Sequence, residues 1–181
     1  MVARNLEPIY DNETAIRAFA LVRSRYPDAT LTIAGSGPEA GTLQALTDHL
    51  ALTTAVTFTG RLEPQAIANL YREADIAINP SLVDNMPNSV LEALASGIPV
   101  VSTNVGGVPY IVSDGETALL VPARSPEAMA SAITRLIEEP SLCSQLIDNG
   151  MAEVQRYTWD TVWPLWEKVY QSALSKKTKL V

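Results

Sequence analysis

Short apolar runs alternate with longer amphipathic stretches along most of this 181-residue chain. Leu31-Thr32-Ile33-Ala34, Val56-Thr57-Phe58-Thr59, Ile76-Ala77-Ile78-Asn79 and Pro99-Val100-Val101-Ser102 are rich in β-branched residues and bounded by polar turns. Such runs predict strands of a parallel sheet covered on both faces. The first three precede helical patterns over residues 39–50, 65–73 and 88–95, and the fourth precedes a Gly-rich loop. Leu119-Leu120-Val121 predicts a further strand, entered from the Asp114-Gly115-Glu116 turn. The alternation implies right-handed βαβ crossovers, so the expected fold class is α/β: a doubly wound, Rossmann-like parallel sheet in a three-layer sandwich.

From Ser125 onward the chain reads as extra carboxyl-terminal helices. Ser125, Pro126 and Glu127 supply an N-cap, a Pro at the first helical position and an early acid, and Ala130, Ile133 and Ile137 an apolar stripe. Trp159, Trp163 and Trp166 share a helical face and are expected to be packing anchors, with Pro164 kinking their helix. Residues 1–6 read as the end of a strand and its following loop, as in a piece of a longer chain. With no internal repeat or linker, residues 1–181 are expected to form a single domain.

Composition narrows the functions. The 47% hydrophobic content can supply a sizeable core, and 13 basic against 20 acidic residues, a net charge of −7, speaks against nucleic acid as a partner. Cys143 is alone, so no intrachain disulfide forms, and its apolar neighbours Leu142, Leu146 and Ile147 predict a buried thiol. No signal-peptide pattern or membrane-length apolar run is present, and the expected location is cytoplasmic. The Lys176-Lys177-Thr178-Lys179 tail reads as a frayed terminus, a contact with the inner face of a membrane being the lesser reading. His49 lies in a polar stretch without a catalytic partner, and no His and Cys cluster predicts a metal site.

The richest chemistry lies in residues 80–101. Asp84 and Glu92 stand eight residues apart across a loop-to-helix junction, and Pro87 suits the first helical turn. The N–H groups of Asn88, Ser89 and Val90 are the expected free donors of that helix start, which favours an anion such as phosphate. Gly35-Ser36-Gly37-Pro38 with Gly41 makes G-x-G-x-x-x-G, and a ligand loop and a plain βα turn explain it equally well. Gly106-Gly107 alone reads as a flexible turn, but the loops at Gly35, Gly60, Asp84 and Gly106 all leave strand ends on one side of the sheet. Arg4, on the loop after the first strand, suits a phosphate.

Asp84 through Val101, followed by Gly106-Gly107, is similar to the Glu-x7-Glu setting E-G-M-P-x-x-x-x-E-A-x-A-x-G-x-P-V-V followed by G-G. Arg4, the 31–38 block, Val56-Thr57-Phe58-Thr59-Gly60-Arg61-Leu62 and Tyr157-Thr158-Trp159 match further blocks in order. The chain thus resembles the carboxyl-terminal, donor-binding domain of group 1 or family 4 retaining glycosyltransferases, which have two Rossmann-like domains, the GT-B architecture.

The resemblance implies a nucleoside-diphosphate sugar as donor and no permanently bound cofactor. The diphosphate would meet Asn88, Ser89 and Val90 with Arg4 as cation, Glu92 would hold the ribose, and Asp84 would sit beside the transferred sugar. Gly35, Gly37, Gly60 and Arg61 would line the nucleotide end, with Gly106 and Gly107 close by. The acceptor, a glycan, lipid or small molecule, would meet an amino-terminal domain absent from this chain, leaving it inactive alone. Three departures stand out: Asp84 is one methylene shorter than the family Glu, Glu7-Pro8-Ile9-Tyr10 lacks the usual Lys, and Tyr110 replaces an acid. The first two support, as the alternative, a non-catalytic nucleotide-sugar-binding or interaction module, and Tyr110 points to a different donor sugar or a family branch with its own solution. A dinucleotide-dependent oxidoreductase is weaker, since Thr59-Gly60-Arg61 stands where an acid would end the next strand.

Overall fold

The computed structural model describes residues 1–177, with side chains as far as Leu174. Among the described residues six short strands, β1 (Val2–Ala3), β2 (Leu31–Ala34), β3 (Val56–Gly60), β4 (Ala77–Asn79), β5 (Val100–Thr103) and β6 (Leu119–Val121), pair in parallel. They form two three-stranded sheets, β1-β2-β3 and β4-β5-β6. The Ile78 N–H donates to the Met1 carbonyl (2.9 Å) and the Met1 ammonium to the Ile76 carbonyl (2.7 Å), which joins the sheets edge to edge through β1 and β4. The continuous order is therefore β3-β2-β1-β4-β5-β6, with its topological switch point between β1 and β4.

The described residues form seven α-helices, the first of them not among the expected elements: α1 (Asn12–Arg25), α2 (Ala40–His49), α3 (Pro64–Glu73), α4 (Asn88–Ala95), α5 (Pro126–Glu138), α6 (Pro140–Val154) and α7 (Trp159–Lys177). The α1 stripe Ala15, Ile16, Ala18, Phe19 and Val22 is buried, and α1 packs on α5. On α5 the buried face is Met129, Ala130, Ala132, Ile133 and Leu136, whereas Ile137, expected in the stripe, is exposed. Ile137 keeps to the apolar face of the helix but lines an open cavity beside Ile133 and Leu136.

The expected Trp anchors are not anchors of this body. Trp159, Trp163 and Trp166 are 69%, 44% and 53% exposed and stack along α7 itself, Trp159 on Trp163 (5.1 Å) and Trp166 on Tyr170 (5.9 Å). The helix meets the body at the 3-10 turn Gln155–Tyr157 and continues through Pro164. An apolar face reports amphipathicity and does not specify what it packs against. The tail from Thr178 onward lies outside the described residues.

At the amino-terminal ends of β2 and β4 lies a cavity of about 870 Å³, lined by Leu31, Ile76, Ile98, Ile133 and Cys143. Cys143, expected to be buried, is only half-buried on this wall, and partial burial raises its thiol pKa. The Met1 amine sits at the top of the same cavity. Burial pushes its pKa down to about 6, partly offset by Asp75. Between about pH 6 and 8 the unfolded amine binds a proton that the folded one rejects, so stability rises with pH across that window by about 2–3 kcal/mol. Urea midpoints of the 181-residue chain at pH 6 and pH 8 measure this, and acetylation of the amine is expected to abolish the difference.

Candidate functional site

At the switch point two strand ends bring a basic and an acidic residue together. Arg4 follows β1 and Asp84 lies in the loop after β4, and the Arg4 Nη2 pairs with Asp84 Oδ2. Both side chains are nearly buried, at 11% and 10% exposure, so the pairing is energetically required. Arg4 also donates from Nε (3.2 Å) and Nη2 (2.9 Å) to Ser81 Oγ, and its guanidinium lies 4.4 Å from the centroid of the Tyr10 ring. Burial lowers the Arg4 pKa, opposed by Tyr10, Tyr71 and Glu92; a guanidinium nonetheless stays charged.

Ser81 continues into a buried polar chain at the ends of β4 and β5. Its hydroxyl donates to Asn79 Oδ1 (2.8 Å), the Asn79 amide donates to Ser102 Oγ (3.0 Å), and the Thr103 hydroxyl donates to the Ser81 carbonyl (2.6 Å). These four residues are at most 2% exposed. None was a site candidate in the sequence; the available signal was polar side chains closing otherwise apolar strands.

The start of α4 is sharper than expected. Pro87 is the N-cap, one position before the first turn, and its carbonyl accepts the Val90 N–H (3.0 Å). Val90 is therefore not a free donor, because the chain closes a tight turn on the cap carbonyl. Asn88 and Ser89 carry the open amides of the helix start. The Ser89 hydroxyl is buried and has no hydrogen-bond partner among the described residues. Further along the helix, Glu92 accepts from the hydroxyl of buried Tyr71 (3.0 Å), which also lies 3.1 Å from the Ser89 carbonyl. Burial first, then the Glu92 charge, drives the Tyr71 pKa upward, so it remains a donor at neutral pH. Tyr71 was missed in the sequence, where only a polar-tipped aromatic on the apolar face of α3 marked it.

The glycines act mainly by admitting backbone. A Cβ on Gly35 would lie 2.0 Å from the Arg4 carbonyl oxygen and one on Gly37 2.3 Å from that of Leu6. Leu6 and Ser36 are hydrogen-bonded there (3.0 Å), so the 35–38 loop props the loop carrying Arg4. Cβ atoms on Gly106 and Gly107 would meet the carbonyl oxygens of Asp84 (2.0 Å) and Asn85 (1.5 Å), and the Gly107 N–H donates to the Asp84 carbonyl (2.7 Å). Gly60, in the left-handed region (φ 69°), ends β3 and accepts from the Gly35 N–H (2.9 Å), and exposed Arg61 follows it. Thus Arg4, Asp84, Ser89 and Glu92 cluster around the switch point, while the glycines and Arg61 frame the strand ends. His49 is exposed on α2, away from the strand ends.

Residues 2–153 match the family described as glycosyl transferases group 1. The chain is 33% identical, over 95% of its length, to the D-inositol 3-phosphate glycosyltransferase of Acidothermus cellulolyticus, spanning 40% of that protein. It is 29% identical to the protein of that name from Corynebacterium glutamicum, spanning 43% of it, so it covers about two fifths of these relatives. The carboxyl-terminal domain of a group 1 glycosyl transferase, LpcC, from Francisella tularensis superposes with a TM-score of 0.78 at 25% identity, over 88% of this chain and 84% of that one. Anabaena HepE, solved in complex with UDP, shares the fold with a TM-score of 0.87 at 23% identity, over 94% of this chain and 48% of that one.

Gly107→Ala is expected to lower stability by about 1–3 kcal/mol, because the loop at Asn85 must move. Gly41→Ala, on α2 with nothing within 4 Å of the added Cβ, is expected to raise it by about 0.5–1 kcal/mol. Paired urea denaturation curves check both.

Proposed function

This chain belongs to the glycosyl transferases group 1, and from that premise we propose that it is the donor-binding half of a retaining glycosyltransferase. In this reading the whole protein moves a sugar from a nucleoside diphosphate to a hydroxyl acceptor. The observation that carries it is buried Arg4 at the switch point, within electrostatic reach of Tyr71 and Glu92, beside a helix start whose Ser89 hydroxyl has no hydrogen-bond partner among the described residues. A guanidinium and a helix amino terminus on neighbouring strand-end loops suit a diphosphate. The contacts of Arg4 to Ser81 and Asp84 use Nε and Nη2, and a guanidinium also carries Nη1 for a phosphate oxygen.

The roles follow from position. Arg4 and the α4 amides stabilise charge growing on the departing diphosphate, where a preorganised donor is most effective. Glu92, held by Tyr71, accepts the ribose hydroxyls. Asp84 fixes the Arg4 guanidinium and lies beside the transferred sugar, and the loops at Gly35, Gly37, Gly60 and Arg61 flank the nucleotide. The groups that activate and orient the acceptor hydroxyl belong to the part of the protein beyond this chain, so the isolated chain binds donor weakly and transfers nothing.

Ser89→Ala separates ligand binding from structure. Its hydroxyl has no partner to lose, so stability is expected to hold or rise, while affinity for a nucleoside diphosphate falls about tenfold. Titration calorimetry with uridine, guanosine and adenosine diphosphates measures it. No binding of any of the three at millimolar concentration overturns the proposal.

A further inference from the structure

Beside Asp84, on the side of the β5 loop, lies a second concavity of about 490 Å³, within the usual size range of ligand pockets. Its wall is formed by Asp84, Met86, Gly106, Gly107, Tyr110 and Tyr157. Tyr110 is 85% exposed, the most exposed of the large hydrophobic side chains among the described residues, and Val83 and Met86, which share the wall, are 59% and 50% exposed. A monomer surface gains nothing by clustering such groups around a hollow.

The platform is nevertheless held firmly. Tyr110 ends the 3-10 turn Val108–Tyr110, whose first residue is fully buried and whose entry is tied by the Gly107 N–H to the Asp84 carbonyl (2.7 Å). At the other end the Tyr157 hydroxyl donates to the Tyr110 carbonyl (3.2 Å). The backbone is thus fixed on two sides, and the ring is left open. Asp84 makes its contacts to Arg4 and Ser81 through Oδ2 and stands at the edge of this pocket. A flat aromatic face with a soft thioether in the same wall and the polar residues Asp84 and Asn85 lining the hollow matches one ligand chemistry: a pyranose ring, with an apolar C–H face and hydroxyls at its edge.

Resting on the donor-binding reading, we infer that Tyr110 is the stacking floor of a sugar subsite next to the diphosphate site. The sugar is either the one the donor carries or one of a saccharide acceptor. The chemistry is the same, and the source is decided by experiment. Tyr110 thereby takes part in selecting the sugar, while Arg4, Ser89 and Glu92 address the nucleotide.

Saturation-transfer NMR and calorimetry on the chain, with UDP-glucose, UDP-N-acetylglucosamine, GDP-mannose, UDP, GDP, maltose and methyl mannoside as probes, test this. Expected are saturation of sugar-ring protons and a loss of affinity of about three- to tenfold in Tyr110→Ala, kept in Tyr110→Phe and Tyr110→Trp. Affinity for UDP and GDP is expected to stay unchanged in all three variants. Saturation with the sugar nucleotides identifies the donor as the source, and with the free saccharides the acceptor. If sugar signals persist in Tyr110→Ala, or none of the sugar probes gives a ring signal, the subsite is overturned even where UDP or GDP binds. Failure of the nucleotides alone, with the saccharides stacking on Tyr110, rejects the donor-binding reading and leaves the subsite standing.

Discussion

Burying an arginine against an aspartate at the seam of a sheet demands that the polar atoms around them be paired. Ser81 meets that demand by accepting from Arg4 and donating to Asn79, which passes the chain to Ser102. The network spans β1, β4 and β5, so the strands on both sides of the switch point hold the charged pair. Low dielectric strengthens each link, and it also raises the cost of breaking one. The rest of the site takes its bearings from this chain: Asp84 fixes the loop that leads to α4, and Arg4 is aimed by three contacts at once.

Around that core the division of labour is between backbone and side chain. Glycines at 35, 37, 106 and 107 let neighbouring strand-end loops lie closer than a Cβ permits. Side chains with polar tips, Tyr71 and Tyr157, then lock what the glycines bring together. The family match over residues 2–153 takes in all of these glycines and Tyr71 but not Tyr157, and the geometry gives each a mechanical reason.

Local signals in the sequence were strong where one force dominated. Leu31–Ala34, Asn88–Ala95 and Leu119–Val121 are found at the expected bounds, because β-branched runs and a Pro-led helix start leave few alternatives. Helix α1 was not among the expected elements, although its apolar stripe is regular, because the preceding turn at Asp11 adopts a left-handed conformation that no local motif announces. Arg4, Asp84, Ser89 and Glu92 were legible as candidates from residue type and position. Tyr71, Ser81 and the pairing of Arg4 with Asp84 were not, since they depend on contacts across 18 to 80 residues of chain. The aromatic face of α7 was legible as a face only, for periodicity carries no information about a partner.

The contact of Gly106 and Gly107 with the carbonyls of Asp84 and Asn85 makes the two loops a single interlocked part. A change of backbone shape in one of them, residues 84–87 or 106–110, therefore has to be matched in the other. A chimera that transplants only the first block inherits a loop shaped for a different counterpart, and its failure would reflect that mismatch rather than the chemistry of the residues it carries.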